Sequence, residues 1–246
     1  MEDHKPLLFL TRPRAASERI AESLPEELAV AIDLCIAPLI EIETLNAPVH
    51  MAGIRGVIFT SANAVQAAAT LKVDPVCPAY CVGAVTTHSA EQSGWPATQC
   101  GETAQELLSA LKSQSPDTPL LHLSGRNIRI DLSEELSNLG IETRNCAIYD
   151  QPIQALSDAA KARLASAQTV IAPVFSPRTA GEFVKQVSTS ERIHVIAMSS
   201  VVAEALSERN WASLTVAENP TAESMSCDIV TAFKRLTRVE GHSGPK

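Results

Sequence analysis

Short apolar runs alternate with longer amphipathic stretches along almost the whole chain. LLFL (7–10), AVAI (29–32), GVIF (56–59), AYCV (79–82), LLHL (120–123), NCAIY (145–149), TVIAPV (169–174), HVIAM (194–198) and SLTV (213–216) read as strands. Between them, ASERIAESL (16–24), NAVQAAATL (63–71), TTHSAEQS (86–93), AQELLSALK (104–112) and LSEELSNLG (132–140) read as helices. So do SDAAKARLA (157–165), RTAGEFVKQV (178–187), VVAEALSER (201–209) and ESMSCDIVTAFKRL (223–236). Near-continuous apolar strands alternating with helices predict an α/β fold with parallel sheets covered on both faces. Helix starts fall at Ser61, Asn63, Thr103, Ser133, Ser176 and Thr221, whose side-chain oxygens can accept from the first turn's N–H groups. Gly140 is placed to end a helix in the left-handed conformation.

The pattern is written twice. PLLFLTRPR (6–14) returns as PLLHLSGRN (119–127), and VIFTSANAV (57–65) as VIAPVFSPRTA (170–180). AYCVGAVTTHSAEQSGWPAT (79–98) returns as IHVIAMSSVVAEALSERNWASLTV (193–216), with the two tryptophans, Trp95 and Trp211, 116 positions apart. ETAQELLSAL (102–111) is echoed by PTAESMSCDIV (220–230). Landmarks in one order at a nearly constant spacing predict an internal duplication into two α/β domains. Two extended, proline-flanked stretches, IAPLIEIE (36–43) and CAIYDQPI (146–153), break the alternation at equivalent places and are expected to connect the domains.

The composition is that of a globular protein: 246 residues, 45% apolar and 20% charged. Net charge is −8, without a basic stripe, which argues against a nucleic-acid partner. Six cysteines are scattered without a C-x-x-C pair, as expected of a reducing cytosol. The start, MEDHKPLLFL, has too short an apolar run for a secretory leader, and no stretch approaches a membrane span. Dinucleotide, P-loop and nucleophile-elbow motifs are all absent, and the six histidines have no metal-ligand spacing.

Parallel sheets bind ligands beyond the carboxyl ends of their strands. The loops there are Thr11–Arg14, Thr60–Asn63, Gly83–Thr87, Ser124–Arg129, Ser176–Thr179, Ser199–Ser200 and Asn219–Ala222, rich in Ser, Thr, Gly and Arg. With helix N-termini beside them, they suit a ligand bearing several carboxylates or phosphates. Each hydroxyl also has a plain role as a helix cap, and Arg12, Arg126, Arg129 and Arg178 can equally be solvated charges. Tyr149, alone, reads as a strand aromatic.

Taken in order, TRP (11–13), VIFTSANAV (57–65), CVGAVTT (81–87), GETAQEL (101–107), LSGRNIRIDLSEELSNLGIE (123–142), IYDQP (148–152), VFSPRTA (174–180) and NPTAESM (219–225) resemble the uroporphyrinogen-III synthase family almost end to end. The resemblance implies two flavodoxin-like parallel-sheet domains joined by a two-stranded linker. One is discontinuous, 1–36 with 153–240, and the other is 37–152. It implies cyclisation of hydroxymethylbilane, a linear tetrapyrrole, to uroporphyrinogen III in a cleft between the domains. Water is lost, ring D is inverted, and no metal or organic cofactor takes part. A cytoplasmic monomer is expected. Tyr149 matches the family's cleft tyrosine and is the candidate proton donor. Thr86, Ser61, Ser176, Arg178 and Thr221 match residues that face substrate. Thr11, Arg12, Arg126, Ser199 and Ser200 complete the candidate binding set. Where the family usually has Gly-x-Thr-Thr in the first domain, this chain has Ser199, Ser200, Val201 and Val202. That departure supports an alternative: a non-catalytic bilobed protein that binds a tetrapyrrole or other polycarboxylate.

Overall fold

The computed structural model describes residues 5–240 other than 129 and 189. Arg129, His4, His242 and the polar C-terminal tail from 241 therefore lie outside the described residues.

The chain begins β1 (Leu7–Leu10), α1 (Arg14–Glu22), α2 (Glu26–Ala31), β2 (Asp33–Ile36), β3 (Glu43–Thr44), β4 (Gly56–Phe59) and α3 (Ala62–Thr70). It continues β5 (Ala79–Cys81), α4 (Ala84–Gln92), β6 (Ala97–Gln99), α5 (Ala104–Gln114), β7 (Leu120–Gly125), α6 (Leu132–Asn138) and β8 (Thr143–Asp150). The last part is α7 (Asp158–Ser166), β9 (Val170–Val174), α8 (Pro177–Gln186), β10 (Ile193–Ala197), α9 (Ser200–Leu206), β11 (Ser213–Val216) and α10 (Ala222–Glu240).

These elements form two compact units: unit 1, Met1–Glu41 with Ile153–Lys246, and unit 2, Ile42–Pro152. The first crossing, expected after residue 36, follows Glu41 instead. Unit 1 carries a five-stranded sheet in the order β11-β10-β9-β1-β2, and every pairing in it is parallel. Unit 2 carries the order β3-β8-β7-β4-β5-β6, parallel except for the short β3. Counted from β1 in unit 1 and from β7 in unit 2, the parallel strands of both follow the flavodoxin order 2-1-3-4-5. The phrase shared by 6–14 and 119–127 is thus the strand at the switch point of each sheet.

Burial follows from the strand period of two. In β1, Leu7 and Phe9 enter a core with Phe183, Val184 and Leu206 of α8 and α9. Leu8 and Leu10 enter the opposite core with Ile20, Met225 and Ile229 of α1 and α10. In β4, Val57 and Phe59 pack with Ala64, Val65 and Trp95, and Ile58 packs with Leu107, Leu111 and Leu136. Each such side chain contributes about 1.5–3 kcal/mol of burial, so both faces of each central strand fix its place.

Helix ends obey local chemistry. Ser61, Thr103, Ser157, Ser176 and Ser199 each accept a first-turn N–H, and Thr103 forms a reciprocal capping box with Glu106. Two expected caps differ. Asp131, not Ser133, caps α6, because its carboxylate accepts from the N–H groups of Ser133 and Glu134. Asn63 lies inside α3 and donates its own N–H to Ser61. Gly140 has φ +83°, and the following N–H of Ile141 reaches back to the Leu136 carbonyl.

One expected strand is a helix. AVAI falls largely in α2, where Pro25 precedes the first turn and Glu26 and Glu27 face its positive end. Val30 is 68% exposed, unlike a buried strand residue, and the strand is Asp33–Ile36. Of the extended stretches, Cys146–Asp150 belongs to β8, paired with β7 along its length and with β3 at Tyr149 and Asp150. Ile40 and Ile153 form an antiparallel bridge, beside a bond from the Gln154 N–H to the Leu39 carbonyl.

Candidate functional site

In unit 2 the candidates gather where β7 and β8 end. The register slips there: Ser124 lies opposite Ala147, but Gly125 lies opposite Tyr149. The Tyr149 carbonyl accepts from the Arg126 N–H at 2.8 Å. The slip lays the tyrosine ring across Gly125. A Cβ at that glycine would sit 2.7 Å from Cζ of Tyr149 and 2.9 Å from its hydroxyl. Glycine is therefore needed for the space it leaves. Tyr149 is 7% exposed, and burial raises its pKa; a hydrogen bond with the Ser61 side chain works the other way. The phenol stays protonated through the neutral range and is a hydrogen-bond donor. Ser61 also caps α3, accepting from the Asn63 N–H at 3.2 Å.

Arg126 is held by its own unit. Its Nη1 donates to Asp150 Oδ2 at 2.7 Å. Asn127 Nδ2 and the Gln151 N–H donate to Asp150 Oδ1 at 3.2 and 2.7 Å. Thr86 is buried in the first turn of α4. That helix follows Gly83, whose φ of +78° favours glycine and which supplies no side-chain cap.

In unit 1, Thr11 is buried, and its Oγ1 is enclosed without a hydrogen-bond partner. Arg12 lies with its Cζ 4.3 Å over the Phe175 ring, so the loop after β1 meets the loop after β9 at the switch point. Burial, helped by nearby Arg19, lowers the Arg12 pKa to about 10, and the guanidinium remains charged at neutral pH. Ser176 accepts from the Thr179 N–H at 3.1 Å and shares a 2.8 Å hydroxyl bond with Thr179 Oγ1. Arg178 is half-buried in the first turn of the same helix. Ser199 caps α9, accepting from Val202 N at 3.4 Å, and Ser200 is exposed. Thr221 is exposed and accepts from the Ser224 N–H at 3.1 Å.

Position by position, the turn Gly83–Thr86 corresponds to Ser199–Val202: the first of each precedes its helix, and the last lies in the first turn. Val201 is exposed, as is Val85 of unit 2. Val202, where unit 2 has Thr86, is 2% exposed and part of the core.

The structure thus joins Tyr149 to Ser61 and sets the Arg126 backbone beside them in unit 2, and it sets Arg12 near Ser176 through Phe175 in unit 1. Three contributors were missed in the sequence: Gly125, Asp150 and Phe175. All three lie inside motifs quoted above, but their roles depend on partners distant in the chain. A cavity of about 110 Å³ in unit 1, lined by His194, Ser213, Asp228 and Arg235, includes none of the candidates. Among the described residues, no group of three or more His, Cys, Asp or Glu could hold a metal ion, and no helix is long and apolar enough to cross a membrane.

The family model described as uroporphyrinogen-III synthase HemD matches residues 26–227. The chain belongs to the uroporphyrinogen-III synthase family. Solved structures of the same name share the fold. Uroporphyrinogen-III synthetase from Helicobacter pylori superposes with a TM-score of 0.68 at 17% identity, covering 93% of this chain and 99% of its own. A mutant uroporphyrinogen III synthase from the extremely thermophilic bacterium Thermus thermophilus gives 0.52 at 13% identity, covering 94% and 99%. No curated protein matches the sequence. Family and fold make this an enzyme of tetrapyrrole cyclisation in porphyrin and heme biosynthesis, a lyase.

Proposed function

We propose that the chain converts hydroxymethylbilane to uroporphyrinogen III, in a cleft between its two units, with loss of water and inversion of ring D. The observation that carries this reading is the family match over residues 26–227. The ring A hydroxymethyl group must leave as water. Tyr149, kept protonated by burial and oriented by Ser61, donates to the departing oxygen. The resulting azafulvene is attacked by the substituted carbon of ring D. The spiro intermediate then fragments, ring D turns over, and the macrocycle closes. The proton released from ring D at closure balances the one given to the leaving hydroxyl.

The linear substrate also closes unaided, without inversion, so the protein's main task is to select its shape. Thr11, Arg12, Ser61, Thr86, Ser176, Arg178, Ser199, Ser200 and Thr221, with helix N-terminal N–H groups, hold the eight carboxylates in the productive arrangement, while Arg126 is engaged by Asp150. The matching strand orders of the two units support an origin by duplication, in which each unit combines two strands of one copy with three of the other. The paired segments at Ile40–Ile153 and Glu43–Asp150 serve as the two-stranded linker. The enzyme acts as a cytoplasmic monomer.

A second reading has one observation in its favour. Val202 offers a buried methyl where unit 2 offers the Thr86 hydroxyl. On that reading the protein binds a tetrapyrrole without turning it over. Purified protein given hydroxymethylbilane, with products resolved by chromatography, separates the two. Type III isomer formed faster than the spontaneous type I product supports the synthase. Binding with only type I at the unassisted rate supports the binder.

A further inference from the structure

We infer that the two units meet the substrate's carboxylates unequally: Arg12, seated on Phe175 in unit 1, clamps one of them, and the equivalent corner of unit 2 is already closed by Asp150. This rests on the tetrapyrrole reading above and names where charge recognition is concentrated.

The corners compared are the carboxyl ends of β1 and β7, which hold the same place in their sheets and carry the repeated phrase. In unit 2 the polar side chains there have internal partners. Arg126 donates to Asp150 at 2.7 Å, and the Ser124 hydroxyl donates to Asn145 Oδ1 at 2.8 Å. Asp131 caps the helix that follows. In unit 1 the arginine at the same corner has a different partner. Among the described residues no carboxylate forms an ion pair with Arg12, and its side chain rests on an aromatic face. Stacking offsets only part of the cost of withdrawing a guanidinium from water, and an incoming anion supplies the remainder. The nine-residue helix α1 that follows has Pro13 at its start and no side-chain cap, so its first N–H groups add donors beside the guanidinium. Phe175 fixes the plane of the fork, which favours two parallel hydrogen bonds to one carboxylate.

The test compares Arg12→Gln, Arg12→Lys and Arg19→Gln. The last removes one charge from the same neighbourhood without touching the stacked position. KM and kcat are measured with hydroxymethylbilane, and Kd for uroporphyrinogen III by tryptophan fluorescence. Arg12→Gln is expected to raise both KM and Kd by about tenfold to a hundredfold, with kcat within about threefold of wild type. Arg12→Lys, keeping charge but losing the fork, falls between, and it serves alone if the glutamine variant does not fold. Arg19→Gln stays within about twofold, as expected for a solvated surface charge. KM and Kd of the Arg12 variants within about twofold of wild type, or shifts equal to that of Arg19→Gln, overturn the inference. Wild-type protein that binds uroporphyrinogen III but yields no type III isomer defeats the synthase reading while leaving Arg12 testable through Kd. Wild-type protein that binds none defeats both.

Discussion

Replacing Gly125 by alanine adds one methyl group at the point where β7 slips register against β8. Gly125 does not have a positive φ, so the backbone accepts the substitution and the effect is steric. The new carbon would lie 2.7 Å from Tyr149 Cζ and 2.9 Å from Cε2 and from the hydroxyl. Ordinary carbon contacts need about 3.5–4.0 Å, so ring or strand must yield by about 1 Å. The ring has little room, because it is buried among Val57, Phe59 and Ile148 and its strand is pinned by β7 and β3. Overpacking of this kind costs about 1–3 kcal/mol. Displacing a proton donor by about 1 Å costs on the order of a hundredfold in rate. Gly125→Ala is therefore expected to lower kcat for the type III isomer by about two orders of magnitude, with a modest loss in denaturant-unfolding free energy. The double variant Gly125→Ala/Tyr149→Phe should be no slower than Tyr149→Phe alone, because both act through one hydroxyl. Normal stability loss with unchanged kcat would refute the link between ring position and catalysis. Multiplicative losses in the double variant would refute the shared cause.

Tyr149→Phe should keep the fold and the substrate KM while reducing type III turnover by about a hundredfold, read from initial rates and isomer ratio; a wild-type rate would remove the tyrosine from proton transfer. His122, on β7, is 2% exposed, neither ring nitrogen has a hydrogen-bond partner, and burial lowers its pKa to about 4 from 6.5. A depressed folded pKa means the unfolded chain takes up the proton first, so this contribution is complete above pH 6.5 and is lost as pH falls toward 4. Between about pH 7 and pH 5 the loss is about 2 kcal/mol. His122→Leu should flatten that part of the urea-unfolding profile, and identical pH slopes in variant and wild type would contradict the assignment.

Much of the fold was legible because local rules and burial agreed. LLFL and GVIF were readable as strands of a sheet covered on both faces, since both of their faces are apolar, and Thr103 announced a helix start from its side-chain chemistry. The misreadings occurred where local cues were short or in competition. AVAI has four apolar letters and no room for a period, so Pro25 and the two glutamates before it decided the outcome in favour of helix. The edge strand β6, ATQ, has no apolar run because little of it is buried. Asp131 displaced Ser133 as a cap because a carboxylate can accept from two N–H groups at once.

The site was legible to a different degree, and the reason is sequence distance. Ser61, Ser176, Ser199 and Thr221 could be picked out because a hydroxyl before a helix has a local consequence, which the structure displays as four caps. The contacts that give the site its character have no local signature. Gly125 matters only because a slipped register brings in Tyr149 from 24 positions away. Arg12 matters only because β1 and β9 are neighbours, which puts Phe175 beneath a guanidinium 163 positions earlier. The same distance separates two similar-looking arginines into different roles. Arg126 directly follows β7 and Arg12 lies two residues past β1, but one has Asp150 on the next strand and the other has an aromatic face. The parallel strands of the two sheets share one order, and the neighbours along each switch-point strand decide whether its guanidinium meets a carboxylate or an aromatic ring.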